Sequence, residues 1–148
     1  NASHAVNDFR KILNLDAYSP TDNVSETTAN ANDDGWDSIF INYLNVSKIN
    51  KKDLIFVFSV GGGNLKKNIS PNIVKAVNLA KKKRAKIVGI IGKDGGHTKR
   101  YANACVLIPV INKTHITPHS EGMQALIWHM IVSHPKLKVN KTKWESIK

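Results

Sequence analysis

Leu54-Ile55-Phe56-Val57-Phe58-Ser59-Val60-Gly61-Gly62-Gly63-Asn64 decides the fold of this chain. Five apolar residues, β-branched or aromatic apart from Leu54, run without a polar break, as in a strand buried on both faces. Three successive glycines follow, and then Ser70-Pro71, an N-cap and first helical position, opens an amphipathic pattern carried by Ile73, Val74, Val77 and Ala80. Strand, glycine loop and helix together make one β-loop-α unit.

The unit repeats. Lys86-Ile87-Val88-Gly89-Ile90-Ile91 reads as a second buried strand, closed by Gly92-Lys93-Asp94-Gly95-Gly96, with a short helix near Thr98 to Ala102. Cys105 to Ile108 is a third strand, halted by Pro109. Strands alternating with helices at this spacing imply right-handed crossovers, hence a parallel sheet covered on both sides. The expected fold class is α/β, a three-layer α/β/α sandwich.

Upstream, the periodicity predicts a helix over Ala2 to Ile12, a strand near Asp16 to Tyr18, and helices over Val24 to Asn30 and Trp36 to Leu44. Downstream, Thr117-Pro118 opens a helix to about Ser133 that is apolar almost all round, so its burial, between subunits, is expected. Residues 1–133 read as one domain and 134–148 as a basic surface extension.

At 148 residues, with 41% hydrophobic and 22% charged residues, the chain fits one globular domain and neither a disordered nor a fibrous class. Its longest apolar run, Leu126 to Val132, falls well short of the roughly 20 residues of a membrane-crossing helix. The lone Cys105 forms no internal disulfide and reads as a small buried hydrophobe, which favours a reducing cytoplasm. Triplets such as Asn45-Val46-Ser47 are what an Asn-rich chain produces by chance. The first residues already read as helix interior and no Met begins them, so a natural start upstream is expected and a signal peptide stays open.

A net charge of +11 suits acidic partners, yet the lysines are dispersed, and the densest cluster, Lys81 to Arg84, ends a helix where cations complement the macrodipole. That argues against a nucleic-acid stripe and for a solvated face that steers anionic substrates.

Phosphate binding is the function the glycine loop points to, because ligands of open α/β sheets sit beyond the carboxyl ends of the strands, where glycine lets backbone N–H groups approach an anion. The plainer alternative is a permissive turn, but three successive glycines carry an entropic cost that a simple connection does not require. No Gly-Lys-Ser/Thr and no Gly-x-Gly-x-x-Gly spacing follows the strand, so neither nucleotide hydrolysis nor a nucleotide cofactor is supported.

Two helices add chemistry. His4 and Asp8 stand four residues apart on one face of the first, and Glu121 and His129 eight apart on the last. Singly, each has a structural explanation: an exposed polar face, a first-turn acid, a hydrogen-bonded core histidine. Jointly they suit a divalent metal or paired acid–base catalysis.

With these features in place, the chain resembles the sugar isomerase (SIS) domain family, in particular its phosphoheptose isomerase branch, from Asn1 to about Ser133. The likeness rests on Asn32-Asp33, the strand and loop ending in Ser59, Lys93-Asp94-Gly95-Gly96, and the closing helix with His129. It implies a parallel sheet flanked by helices and a homotetramer with sites at subunit interfaces. The implied reaction converts sedoheptulose 7-phosphate to a manno-heptose 7-phosphate through an enediol.

By position, the resemblance makes His4, Asp8, Glu121 and His129 the zinc ligands, with Asp8, Glu121 and His129 catalytic. Asn32, Asp33, Ser59, Gly61, Gly62, Ser70 and Glu121 become substrate contacts. Three departures stand out: Asp8 replaces a glutamate, Glu121 a glutamine, and Val60 and Gly61 the loop's hydroxyl residues. The family's first strand and its Gly-Gly-Ser loop are expected upstream of Asn1. Two rivals remain: a non-catalytic SIS module that binds a sugar phosphate or a partner such as a replication initiator, and a nucleic-acid binder with salt-dependent affinity.

Overall fold

A computed structural model describes residues 1–143. In chain order the elements are α1 (Ala2–Leu13), α2 (Val24–Asp34), a 3₁₀ turn (Trp36–Ser38), α3 (Ile39–Val46), β1 (Leu54–Ser59) and α4 (Pro71–Lys82). There follow β2 (Lys86–Ile91), α5 (Gly96–Tyr101), β3 (Ala104–Leu107), a second 3₁₀ turn (Lys113–His115) and α6 (Ile116–Ser133). The strands form a parallel sheet in the order β1-β2-β3, with Phe58 opposite Ile90 and Ile90 opposite Val106.

Strand alternation divides the core. Phe56, Phe58 and Ile90 face Ala5, Ile12, Trp128 and Val132 of α1 and α6, whereas Ile55, Val57 and Ile87 face Ile41, Leu44, Val77 and Ala80 of α3 and α4. This is the expected three-layer α/β/α sandwich. Its central strand β2 is the most buried of the three strands, with Ile87, Ile90 and Ile91 at 2% exposure or less.

The details correct several expectations. Asp16 to Tyr18 forms no strand: Arg10 holds that segment instead, donating to Ala17 O (3.0 Å), pairing with Asp16 and lying over the Tyr18 ring. The helix expected over Trp36 to Leu44 starts as a 3₁₀ turn and becomes α-helical at Ile39. Neither β1 nor β3 is buried like β2, because each forms an edge of the sheet; Val106 and Leu107 of β3 are exposed and Cys105 is half-buried. Burial still raises the Cys105 thiol pKa, which keeps it an unreactive thiol.

Ser70 is not a side-chain N-cap. Its backbone is left-handed (φ 49°), and its carbonyl, rather than its hydroxyl, accepts from Ile73 and Val74 N–H. Nor is α6 buried all round. Ser120, Gln124, Trp128 and Val132, four residues apart, form its buried stripe, while Met123, Leu126 and Met130 are 40–63% exposed on this single chain. The segment after α6 is surface chain, but it folds back: Val139 and Asn140 N–H donate to Ile12 O and Asn140 Nδ2 to Lys11 O, completing the C-terminal end of α1. Residues 144–148 of the expected extension lie outside the described residues.

Candidate functional site

α1 and α6 lie side by side and run the same way, since Asn1 meets Glu121 and Gln124 while Asp8 meets His129. The pairing places the polar residues of both helices along one seam above the sheet.

At the far end of the seam, His4, Asp8 and His129 each present a ligand atom within 4.8 Å of the others. Asp8 is buried, not exposed as the polar-face explanation required; only 2% of it is accessible. Its Oδ1 accepts from Asn7 Nδ2 (2.9 Å), and its Oδ2 lies 3.6 Å from His129 Nδ1. Trp128, 1% exposed, walls the group: its ring lies 3.6 Å from that of His129 and meets His4 edge-on at 4.8 Å, centroid to centroid. A buried carboxylate needs a cation or several donors to offset desolvation, and Asp8 Oδ2 has no hydrogen-bond partner. Two imidazoles and an under-satisfied carboxylate oxygen are a donor set that fits a zinc-type divalent ion.

Glu121 is not part of that group. Eight helical residues rise about 12 Å, and the second histidine-side position is two turns further along α6. Glu121 is exposed and instead lines a pocket of about 400 Å³ with Asn1, Ala2, Phe58 and Gln124.

Gln124, which sequence reasoning passed over, ties this pocket to the sheet. Its Nε2 donates to Ser59 O (3.0 Å) and Ile90 O (3.1 Å), and its Oε1 accepts from Asn1 Nδ2 (3.2 Å). The available signal was an amide at the centre of the Ser120-Gln124-Trp128-Val132 stripe, where a buried polar group must find partners.

The glycine loop begins where β1 ends. Ser59 Oγ accepts from Gly62 N–H (3.0 Å), which leaves the hydroxyl its own proton to donate. Gly62 and Gly63 have φ of 68° and 78°, and their carbonyls accept from Thr98 and His97 N–H (2.8 Å each) at the start of α5. A Cβ on Gly62 would collide with the Gly95 carbonyl, and one on Gly96 with the Gly61 and Gly63 carbonyls. Gly62 and Gly96 therefore have a packing reason, since the loops after β1 and β2 lie against each other, and a Cβ on Gly63 would crowd the Val74 side chain. Gly61 is different, for its φ is ordinary and a Cβ there would only touch Lys93 Cδ at 3.7 Å. The other end of the loop is closed by the Asn64–Ile69 bridge, which Ser70 follows directly.

Asn32 and Asp33 sit on the last turn of α2, exposed and hydrogen-bonded to each other (2.9 Å). Since α2 packs on α3 and the first 3₁₀ turn, they join neither the pocket lining nor the histidine group within this chain.

The fold and site define an α/β domain with a parallel sheet and a buried carboxylate–histidine group beside a surface pocket. Comparison with known proteins gives the particular likeness, to the phosphoheptose isomerases, although no family model matches the chain. The phosphoheptose isomerase of Nitratiruptor is 29% identical over 133 residues, covering 89% of this chain and 65% of that protein. That of Chlorobaculum parvum is 30% identical over 127 residues, covering 84% and 56%. Among solved structures, the phosphoheptose isomerase from Francisella tularensis superposes with a TM-score of 0.69 at 25% identity, over 88% of this chain and 67% of that one. The enzyme from Neisseria gonorrhoeae shares the fold, with a TM-score of 0.72 at 23% identity. The chain thus spans between about half and two thirds of the length of the curated relatives it matches.

Proposed function

We propose that the protein containing this chain is an aldose–ketose isomerase of phosphorylated sugars, acting on sedoheptulose 7-phosphate. The observation that carries this reading is the seam between α1 and α6: a pocket bordered by the exposed carboxylate of Glu121 lies at one end of it, and His129, whose Nδ1 faces the buried Asp8, lies two turns further along α6.

Isomerisation moves a proton between C1 and C2 while the two oxygens exchange roles. Glu121 has the exposure to reach a bound sugar and serves as the base at carbon, whereas Asp8, sealed beneath Trp128, orients His129. His129, 39% exposed in its side chain, passes protons to and from the oxygens. Ser59 and Ser70, with the amides around Gly61 and Gly62, anchor the phosphate, so that binding energy remote from the reacting carbons positions them. Asn32 and Asp33 contact substrate across a subunit boundary, as sites at the interfaces of a homotetramer require.

Zinc fits His4, Asp8 and His129, and when bound it supplies Lewis-acid polarisation of the substrate carbonyl. Glu121 would join that set only by reaching two turns along α6. The setting is cytoplasmic; among the described residues no helix is long and apolar enough to cross a membrane.

The test is turnover of sedoheptulose 7-phosphate by the intact protein, with His129→Ala expected to lose at least about 100-fold in kcat. No turnover, together with a His129→Ala variant that matches wild type in substrate binding, would sink the reading. A regulatory module that binds sugar phosphate without converting it is the rival favoured by Glu121 lying outside the histidine group. Unimpaired binding without turnover would select it.

A further inference from the structure

Lys93 occupies an unusual place. It opens the Lys93-Asp94-Gly95-Gly96 loop after β2 in the left-handed region (φ 52°), a conformation that is strained for most L-residues and that Gly or Asn would adopt more readily. Its stem nevertheless runs back across the neighbouring loop, with Cδ 3.7 Å from where a Gly61 Cβ would stand. Among the described residues no carboxylate pairs with its ammonium: the ion pairs are Arg10 with Asp16, Lys75 with Asp37 and His129 with Asp8. The adjacent Asp94 turns its Oδ1 to Gly96 N–H (3.2 Å). Lys93 is exposed, so its head is accessible to a ligand.

We infer that Lys93 is the cationic anchor for the phosphate at this loop, whose residues Val60 and Gly61 carry no hydroxyl. The inference rests on the phosphosugar reading above. Three observations converge on one spot: a strained backbone, an unpaired cation and a stem laid over Gly61, all at the carboxyl ends of β1 and β2. An ammonium bonded to a phosphate oxygen is charge-assisted and stronger than a neutral hydroxyl bond, so a loop with only Ser59 and Ser70 as hydroxyl donors can still hold a dianion. Lys93 is a binding residue with no part in proton transfer.

Calorimetric titration of the intact protein with sedoheptulose 7-phosphate, unphosphorylated sedoheptulose and inorganic phosphate tests this. Lys93→Asn removes the charge and suits the left-handed backbone; Lys93→Gly provides a second charge-free variant. Both should bind sedoheptulose 7-phosphate and inorganic phosphate about tenfold or more weakly, with affinity for sedoheptulose unchanged. Lys93→Arg should stay within about threefold of wild type, and adding Gly61→Ser to Lys93→Asn should restore part of the loss. If the charge-free variants bind the phosphorylated sugar as wild type does, while wild type still prefers it over sedoheptulose, the Lys93 assignment is overturned and the phosphosugar reading stands. A wild type without that preference overturns both.

Discussion

Asp8 concentrates the chemistry of this chain. A carboxylate that is 2% exposed, supplied with one amide donor and facing two imidazoles, is stable only if something positive shares its surroundings. Asp8→Asn should therefore lower zinc retention after dialysis, measured by elemental analysis of the purified protein, by at least about tenfold. Retention equal to wild type would separate Asp8 from metal binding. Among the described residues the other buried side-chain atom without a hydrogen-bond partner is Trp128 Nε1, so Trp128→Phe should cost much less stability than the roughly 3–5 kcal/mol expected for Trp128→Ala. Glycine contrasts are equally specific. Gly62→Ala forces a Cβ into the Gly95 carbonyl at a positive φ and should destabilise by roughly 2–5 kcal/mol in denaturant titration, whereas Gly61→Ala should be nearly neutral.

At the scale of elements, α5 is short, and its position depends on what holds it. Thr98 Oγ1 donates to Gly62 O (2.9 Å), and His97 Nε2 meets Asn78 Oδ1 of α4 (2.8 Å). Burial, then Arg100 and Lys81, hold the His97 pKa below its usual 6.5. Because the unfolded chain binds that proton more readily, the contribution of His97 is present above pH 6.5 and is lost as pH falls towards the lower folded value. The stability difference between wild type and His97→Gln should therefore shrink on acidification from pH 7.5 to 5. A difference independent of pH would refute this coupling of α5 to α4. The seam of α1 and α6 is held at its other end by Gln124, and Gln124→Leu would take a donor from both of its carbonyl partners, Ser59 O keeping Gly92 N–H.

For the whole molecule, the exposed apolar residues are distributed unevenly. Met123, Leu126 and Met130 of α6 form one row, and Val110 and Ile111 beyond β3 another. Such a surface fits burial against further copies of the chain, in keeping with the proposed homotetramer. Light scattering of the intact protein should give a mass several times that of one chain, and Leu126→Glu with Met130→Glu should reduce it. A monomeric wild type would remove both the tetramer and the interface role of Asn32 and Asp33. α6 itself carries no lysine or arginine, so the net charge of +11 is not concentrated on this row.

Strand and helix identity in the central units was legible in the amino-acid sequence, because unbroken β-branched runs, Ser70-Pro71 and Gly92 to Gly96 are local signals whose meaning depends little on distant residues. The candidate chemistry was legible too, as residue types spaced on two helices. Tertiary structure alone decided which of those residues meet. Helical spacing gives the angle between Glu121 and His129 but ignores the rise of two turns, so Glu121 falls at the pocket while His129 meets Asp8. Burial of Asp8 and the bracing by Gln124 depend on where α1 lies against α6, and the reason for Gly62 lies in a loop more than thirty residues later in the chain. Local sequence determines the helices because their hydrogen bonds are local, and it marks the strands by unbroken apolar runs although their partners lie in other segments of the chain; the site is assembled by packing, which brings together residues that no local pattern connects.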